Sequence, residues 1–225
     1  MTPLSWALLG VAAVAAVADW AAVWSEAPRA RIVERIAKPA TLLALLLVAA
    51  TATPATPAGW DARPWLVLAL AMSLAGDMLL LPPGRFLGGL IAFLLAHLAY
   101  LVAFAQLPGS APWLATGVAA SIAVGATVGR VLVRAAFRVR LGVPVAVYLV
   151  AICAMAIAAT RTGIPAAIAG AWLFVASDAM LGWGRFRATA TLAGDDARGG
   201  TWLRLGVIGS YHLGQALLVL AILLG

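Results

Sequence analysis

Residues 66–80 read Leu66-Val67-Leu68-Ala69-Leu70-Ala71-Met72-Ser73-Leu74-Ala75-Gly76-Asp77-Met78-Leu79-Leu80, an apolar run carrying a single carboxylate near its end. A helix that spans a bilayer needs about 20 mostly apolar residues, and this run, extended to 64–82, supplies them. Seven further stretches qualify, at 3–24, 38–55, 86–107, 112–132, 142–160, 164–183 and 203–224. Breakers separate them: Pro28, the Pro54/Pro57/Gly59 group, Pro82-Pro83-Gly84, Pro108-Gly109, and Gly163 with Pro165. The composition agrees. Of 225 residues, 64% are hydrophobic and 10% charged, where soluble domains carry about 25% charged residues. A water-soluble fold and an intrinsically disordered chain are excluded. The expectation is an all-α membrane protein of eight transmembrane helices in one domain, with an exposed Gly- and charge-rich loop over 184–202.

The net charge of +7 reflects topology, not a nucleic-acid surface. Thirteen of the fifteen Lys and Arg fall in the segments after the first, third, fifth and seventh spans, and only Arg63 and Arg161 fall on the other side. Basic loops stay in the cytoplasm, so both termini are expected outside. No basic residue precedes the first span, so it is expected to remain as a helix and not to be cleaved as a signal. Arg outnumbers Lys 14 to 1, which points to a GC-rich bacterial genome and hence to a bacterial cytoplasmic membrane. The one cysteine, Cys153, forms no disulfide framework, and two histidines are too few for an HExxH zinc site. No metal or organic cofactor is expected.

Ionisable groups inside spans are costly and mark functional sites. They are Asp19, Asp77, His97, Asp178 and His212, with Lys38 at the mouth of the second span. Tyr100, Tyr148, Tyr211 and Gln215 add hydrogen-bonding groups. At 1.5 Å per residue, Asp77 and Asp178 lie about 7 Å from the cytoplasmic ends of their helices. A polar pocket opening toward the cytoplasmic leaflet follows, and a continuous pore does not. Phe93, His97, Tyr100 and Phe104 form one helical stripe, and Tyr211 and Gln215 share another. Gly76-Asp77-Met78-Leu79-Leu80 ahead of Arg85-Phe86 is echoed by Ser177-Asp178-Ala179-Met180-Leu181 ahead of Arg185-Phe186, 101 positions later. Both aspartates close the third span of a four-span half. This echo predicts a parallel 4+4 repeat with its two carboxylates facing across the axis. Arg85 and Arg185 read as topology signals, Tyr148 and Cys153 as packing, and Lys38 as a phosphate contact. Asp19 reads equally as a site residue or as a side chain reaching back to water.

Ala37-Lys38-Pro39, the Gly76-Asp77 segment with Gly89, Phe93, His97 and Tyr100, then Pro144 and Tyr148, Trp172 to Asp178, and Tyr211-His212-Leu213-Gly214-Gln215 together resemble the YhhN-like lysoplasmalogenases. That resemblance implies an eight-span hydrolase that cleaves the vinyl ether of lysoplasmalogens to a fatty aldehyde and a glycerophospho-alcohol. Protonating the ether's β-carbon makes an oxocarbenium ion that water attacks. The step calls for one protonated carboxyl and one ionised carboxylate, a division that paired carboxylates in a low-dielectric site adopt. Glycosidases divide the work similarly. Asp77 and Asp178 are then the catalytic pair, and Lys38, His97, Tyr100, Tyr211, His212 and Gln215 the substrate-binding set. The implied partners are a lysophospholipid and the bilayer. A lipid or small-amphiphile transporter is the alternative class. An intramembrane aspartyl protease is disfavoured, because neither aspartate has its Tyr-Asp or Gly-x-Gly-Asp context.

Overall fold

Prolines and threonines open several of the helices. Thr2 and Thr56 accept hydrogen bonds from the amides of Ser5 and Gly59 at 3.2 and 3.1 Å, with Pro3 and Pro57 in the first turn. A missing proline N–H costs nothing there, because first-turn amides have no partner inside the helix. A computed structural model describes residues 2–25, 27, 29–187 and 197–225. The described residues are helical and contain no strand: α1 (Pro3–Trp24), α2 (Ala30–Thr51), α3 (Pro57–Leu80), α4 (Phe86–Ala105), α5 (Ala111–Phe137), α6 (Gly142–Arg161), α7 (Pro165–Arg187) and α8 (Ala197–Leu224). A π-helical turn over Gly125–Gly129 interrupts α5.

Seven of these helices are long and apolar enough to cross a membrane, against eight expected. The exception is α2. It begins at Ala30, not at Lys38, so its first half carries Arg31, Glu34, Arg35 and Lys38. Pro39 lies inside this helix and Pro64 inside α3, which begins at Pro57 and not at 64. Membrane helices accommodate such prolines when neighbouring groups take over the freed backbone, and both helices start earlier than the expected 38 and 64. Of the loop expected over 184–202, residues 188–196 lie outside the described residues, whereas 184–187 and 197–202 are helical and belong to α7 and α8.

Neighbouring helices pair along the chain, α1 with α2, α3 with α4 and α7 with α8, while α4 packs on α6 and α8 reaches back to α1, α2 and α3. Apolar attraction cannot drive this packing in lipid, so close backbone approach matters. At Gly170 of α7 an added Cβ would stand 2.9 Å from the Gly214 carbonyl oxygen of α8, and one on Gly214 would stand 3.0 Å from the Gly170 carbonyl. That approach brings Phe174 against Tyr211, at 5.3 Å between ring centroids, and lets Ser177 Oγ donate to the Val207 carbonyl at 2.9 Å.

The two basic residues that depart from the charge bias are helix caps. Arg63 Nε donates to the Ala49 carbonyl at 2.9 Å and its Nη2 to Ala50, closing the end of α2. Arg161 Nη2 donates to the carbonyls of Phe104 and Leu107 at 3.1 and 2.7 Å, closing the end of α4. Cations at helix C-termini also complement the dipole.

Two outcomes follow. Arg161→Ala should lower stability by about 1–2 kcal/mol, the scale of losing charge-assisted bonds at a half-buried site, read as a lower Tm in detergent. Gly170→Ala should destabilise as well, because its methyl group meets backbone that cannot move aside. An unchanged Tm in both would contradict this packing.

Candidate functional site

The helices α3 and α7 each deliver one carboxylate. Asp77, three positions before the C-terminus of α3 at Leu80 and only 1% exposed, receives Lys38 Nζ of α2 at 2.8 Å and the Tyr211 hydroxyl of α8 at 2.8 Å. The same ammonium sits 5.5 Å from the Tyr211 ring centroid. Asp178 of α7 accepts a hydrogen bond from the Tyr148 hydroxyl of α6. His97 of α4 turns Nε2 toward the Asp178 carboxylate at 3.8 Å, beyond hydrogen-bond reach, while its Nδ1 lies 2.6 Å from the Phe93 carbonyl. A carbonyl only accepts, so Nδ1 carries the hydrogen and a neutral ring presents its Nε2 lone pair to Asp178.

Both aspartates line one cavity of about 490 Å³, together with Lys38, Tyr211, Phe93, Ser177 and a mouth of Arg31, Glu34, Arg35 and Arg204. Arg204 Nη2 meets both Glu34 oxygens at 2.6 and 2.7 Å, tying α8 to α2 at that mouth. The cavity therefore opens at the arginine-rich end of the bundle. Phe93 and Tyr211, edge-on to each other at 5.9 Å, are aromatic parts of its lining, and Phe174 packs edge-on against His97 at 4.7 Å in the core.

Of the residues singled out from the sequence, Lys38, Asp77, Asp178 and Tyr211 line this cavity, and His97 backs it through Asp178. Tyr100 and Gln215 lie fully buried, and the Tyr100 hydroxyl donates to the Gln215 side-chain carbonyl. His212 is turned elsewhere. It faces Asp19 of α1, with Nε2 3.9 Å from Oδ2, and stacks with Trp20 at 6.4 Å. Asp19 is itself fully buried, so it does not reach back to water. Lys38 pairs with a carboxylate, where a phosphate contact was expected. Tyr148, read from the sequence as packing, is a partner of Asp178. Under the repeat expected from the sequence, Tyr148 falls on the same helix of its half as Lys38, which was the available signal. Glu34 was not singled out from the sequence, and Arg31, Arg35 and Arg204 count there only toward the charge bias. Among the described residues no group of three or more His, Cys, Asp or Glu gathers in a metal-holding arrangement.

The family model described as the YhhN family matches residues 33–222. Two curated relatives, the lysoplasmalogenases of Mycobacterium bovis (strain ATCC BAA-935 / AF2122/97) and Mycobacterium tuberculosis (strain CDC 1551 / Oshkosh), are each 35% identical over 159 residues. The match takes in 66% of this chain, and the chain spans 60% of the length of these relatives. No solved structure matches.

Removing one member of a buried ion pair strands the other's charge. Lys38→Met should cost about 3 kcal/mol of stability, and adding Asp77→Asn should recover most of it. Thermal unfolding of the three variants reads the coupling; additive losses would contradict the pair.

Proposed function

Because the chain belongs to the YhhN family, we propose that it hydrolyses the vinyl ether bond of a lysoplasmalogen or a closely related lysolipid. The observation that carries this reading is the pair of carboxylates on one cavity with unlike partners. Asp77, held by an ammonium and a phenol, is the ionised member. Asp178, held by a phenol alone, is free to carry the proton at its second oxygen.

The chemistry runs through these two groups. Asp178 delivers its proton to the β-carbon, and the α-carbon becomes an oxocarbenium ion. The ionised Asp77 stabilises that cation, and the π-faces of Phe93 and Tyr211 add to it. A water molecule attacks the α-carbon and passes a proton to Asp77, giving a hemiacetal. Collapse breaks the bond to the glycerol oxygen. Asp77 returns its proton to that oxygen, the hemiacetal hydroxyl reprotonates Asp178, and aldehyde and glycerophospho-alcohol leave with both carboxyls reset. General acid–base steps of this kind supply about 10²–10⁴-fold each.

The same reading takes α2 as an eighth span, with its basic first half at the cytoplasmic interface, so that both termini lie outside and the cavity opens to the inner leaflet of a bacterial cytoplasmic membrane. At about 33 Å, its 22 residues are long enough for a bilayer core of about 30 Å. A parallel 4+4 repeat is supported by the partners of the aspartates. Asp77 is met from α2 and α8, and Asp178 from α6 and α4, which are the equivalent helices under that repeat. Tyr100 of α4 and Gln215 of α8, bonded to each other, would then straddle the axis.

Aldehyde release from a lysoplasmalogen by purified protein tests the proposal. Asp77→Asn and Asp178→Asn should each fall at least about 100-fold while staying folded. Near-normal turnover in either would remove that residue from the chemistry.

A further inference from the structure

Beside the cavity that holds the aspartates lies a second one of a different character. It is a groove among α4, α5, α6 and α7, walled by side chains such as Phe86, Leu90, Val128, Leu132, Val145 and Ile152, and its only polar lining side chains are Tyr148 and Asp178. Leu80, Phe93, Asp178 and Leu181 line both cavities, so the two meet at Asp178. One side of that meeting point is rimmed by arginines, and the other is hydrocarbon. The π-helical turn of α5 contributes Val128 and Gly129 to the wall, and such turns occur frequently at functional sites. α5 leans on α6 and α7 and hardly touches α4, so the groove forms the seam between α4 and α5.

We propose that this groove binds the hydrocarbon chain of a single-chain lysophospholipid, with the phosphate among Arg31, Arg35 and Arg204 and the head-to-chain junction at Asp178. The inference rests on the hydrolase reading for what happens at that junction, but not for the binding itself. An amphiphile laid across two cavities of opposite character is held by burial of its chain at one end and by charge at the other. In an alkenyl lysolipid that junction is the scissile bond, so the two ends of the ligand carry the vinyl ether to the acid. The groove encloses about 90 Å³ against about 490 Å³ for the polar cavity. It therefore grips the carbons next to the bond, and the rest of the chain lies along the α4–α5 seam toward lipid.

The test is photo-crosslinking in nanodiscs with a lysophosphocholine lipid bearing a diazirine early in its chain, followed by peptide mapping. Label should fall on α5 and α6 around Val128, Leu132 and Val145. Unlabelled long-chain lysolipid should compete it away, and chainless glycerophosphocholine should not. Alongside, Val128→Trp and Leu132→Trp should each cut labelling at least fivefold and lower kcat/KM for a lysoplasmalogen at least tenfold, with the Tm in detergent unchanged. Label confined to other helices, or labelling and kcat/KM that neither variant changes, overturns the groove even if aldehyde is released. Groove labelling without aldehyde release upholds the groove and overturns the hydrolase reading instead.

Discussion

A carboxylate in the middle of a helical bundle has to find a partner, and the Lys38–Asp77 ion pair is the contact on which much of this fold turns. A charge stranded in a low-dielectric interior costs several kcal/mol. Asp77 therefore obliges α2 to bring its only ammonium to α3 and α8 to bring its Tyr211 hydroxyl. This explains why α2 carries four charged residues in its first half, which on hydropathy alone would disqualify it as a span. The Glu34–Arg204 contact at the mouth ties the same two helices one turn further out. On the other side Asp178 makes a lesser demand, met by one phenol. Two similar carboxylates thus acquire different chemical characters from their neighbours.

Much of this was legible in the sequence, because membrane physics makes intramembrane charge conspicuous. Asp77, Asp178 and Lys38 stand out as ionisable groups in apolar runs, and the structure brings all three to one cavity with Tyr211. Helix boundaries were less legible. Pro39 and Pro64 look like breakers, yet both sit inside helices whose lost backbone bonds the bundle tolerates. Partners were less legible still. Tyr148 is one phenol in an apolar run, and nothing local distinguishes a donor to Asp178 from a packing ring. His212, one position from Tyr211, points a different way round α8 and meets Asp19, a pairing between helices at opposite ends of the chain that no spacing reveals. The caps made by Arg63 and Arg161 show that exceptions to the charge bias can be local hydrogen-bonding devices with no bearing on topology.

The arrangement also bears on how water and lipid share one site. The polar cavity, with its arginine mouth, is where water and a phosphate are at home, and the groove behind Asp178 excludes both. In the proposed reaction, a proton held at that boundary would meet carbon on one side, while Asp77, as the ionised member, would face the side from which water arrives. Such a separation of acid and base would give the proposed oxocarbenium ion a short path from protonation to capture.

The most direct measurement is the isotope content of the aldehyde released from a lysoplasmalogen in D₂O. Proton delivery to the β-carbon predicts one deuterium on the carbon next to the aldehyde carbonyl in every product molecule. Unlabelled aldehyde, or no aldehyde from folded protein, would contradict carboxylic-acid cleavage of a vinyl ether at this site.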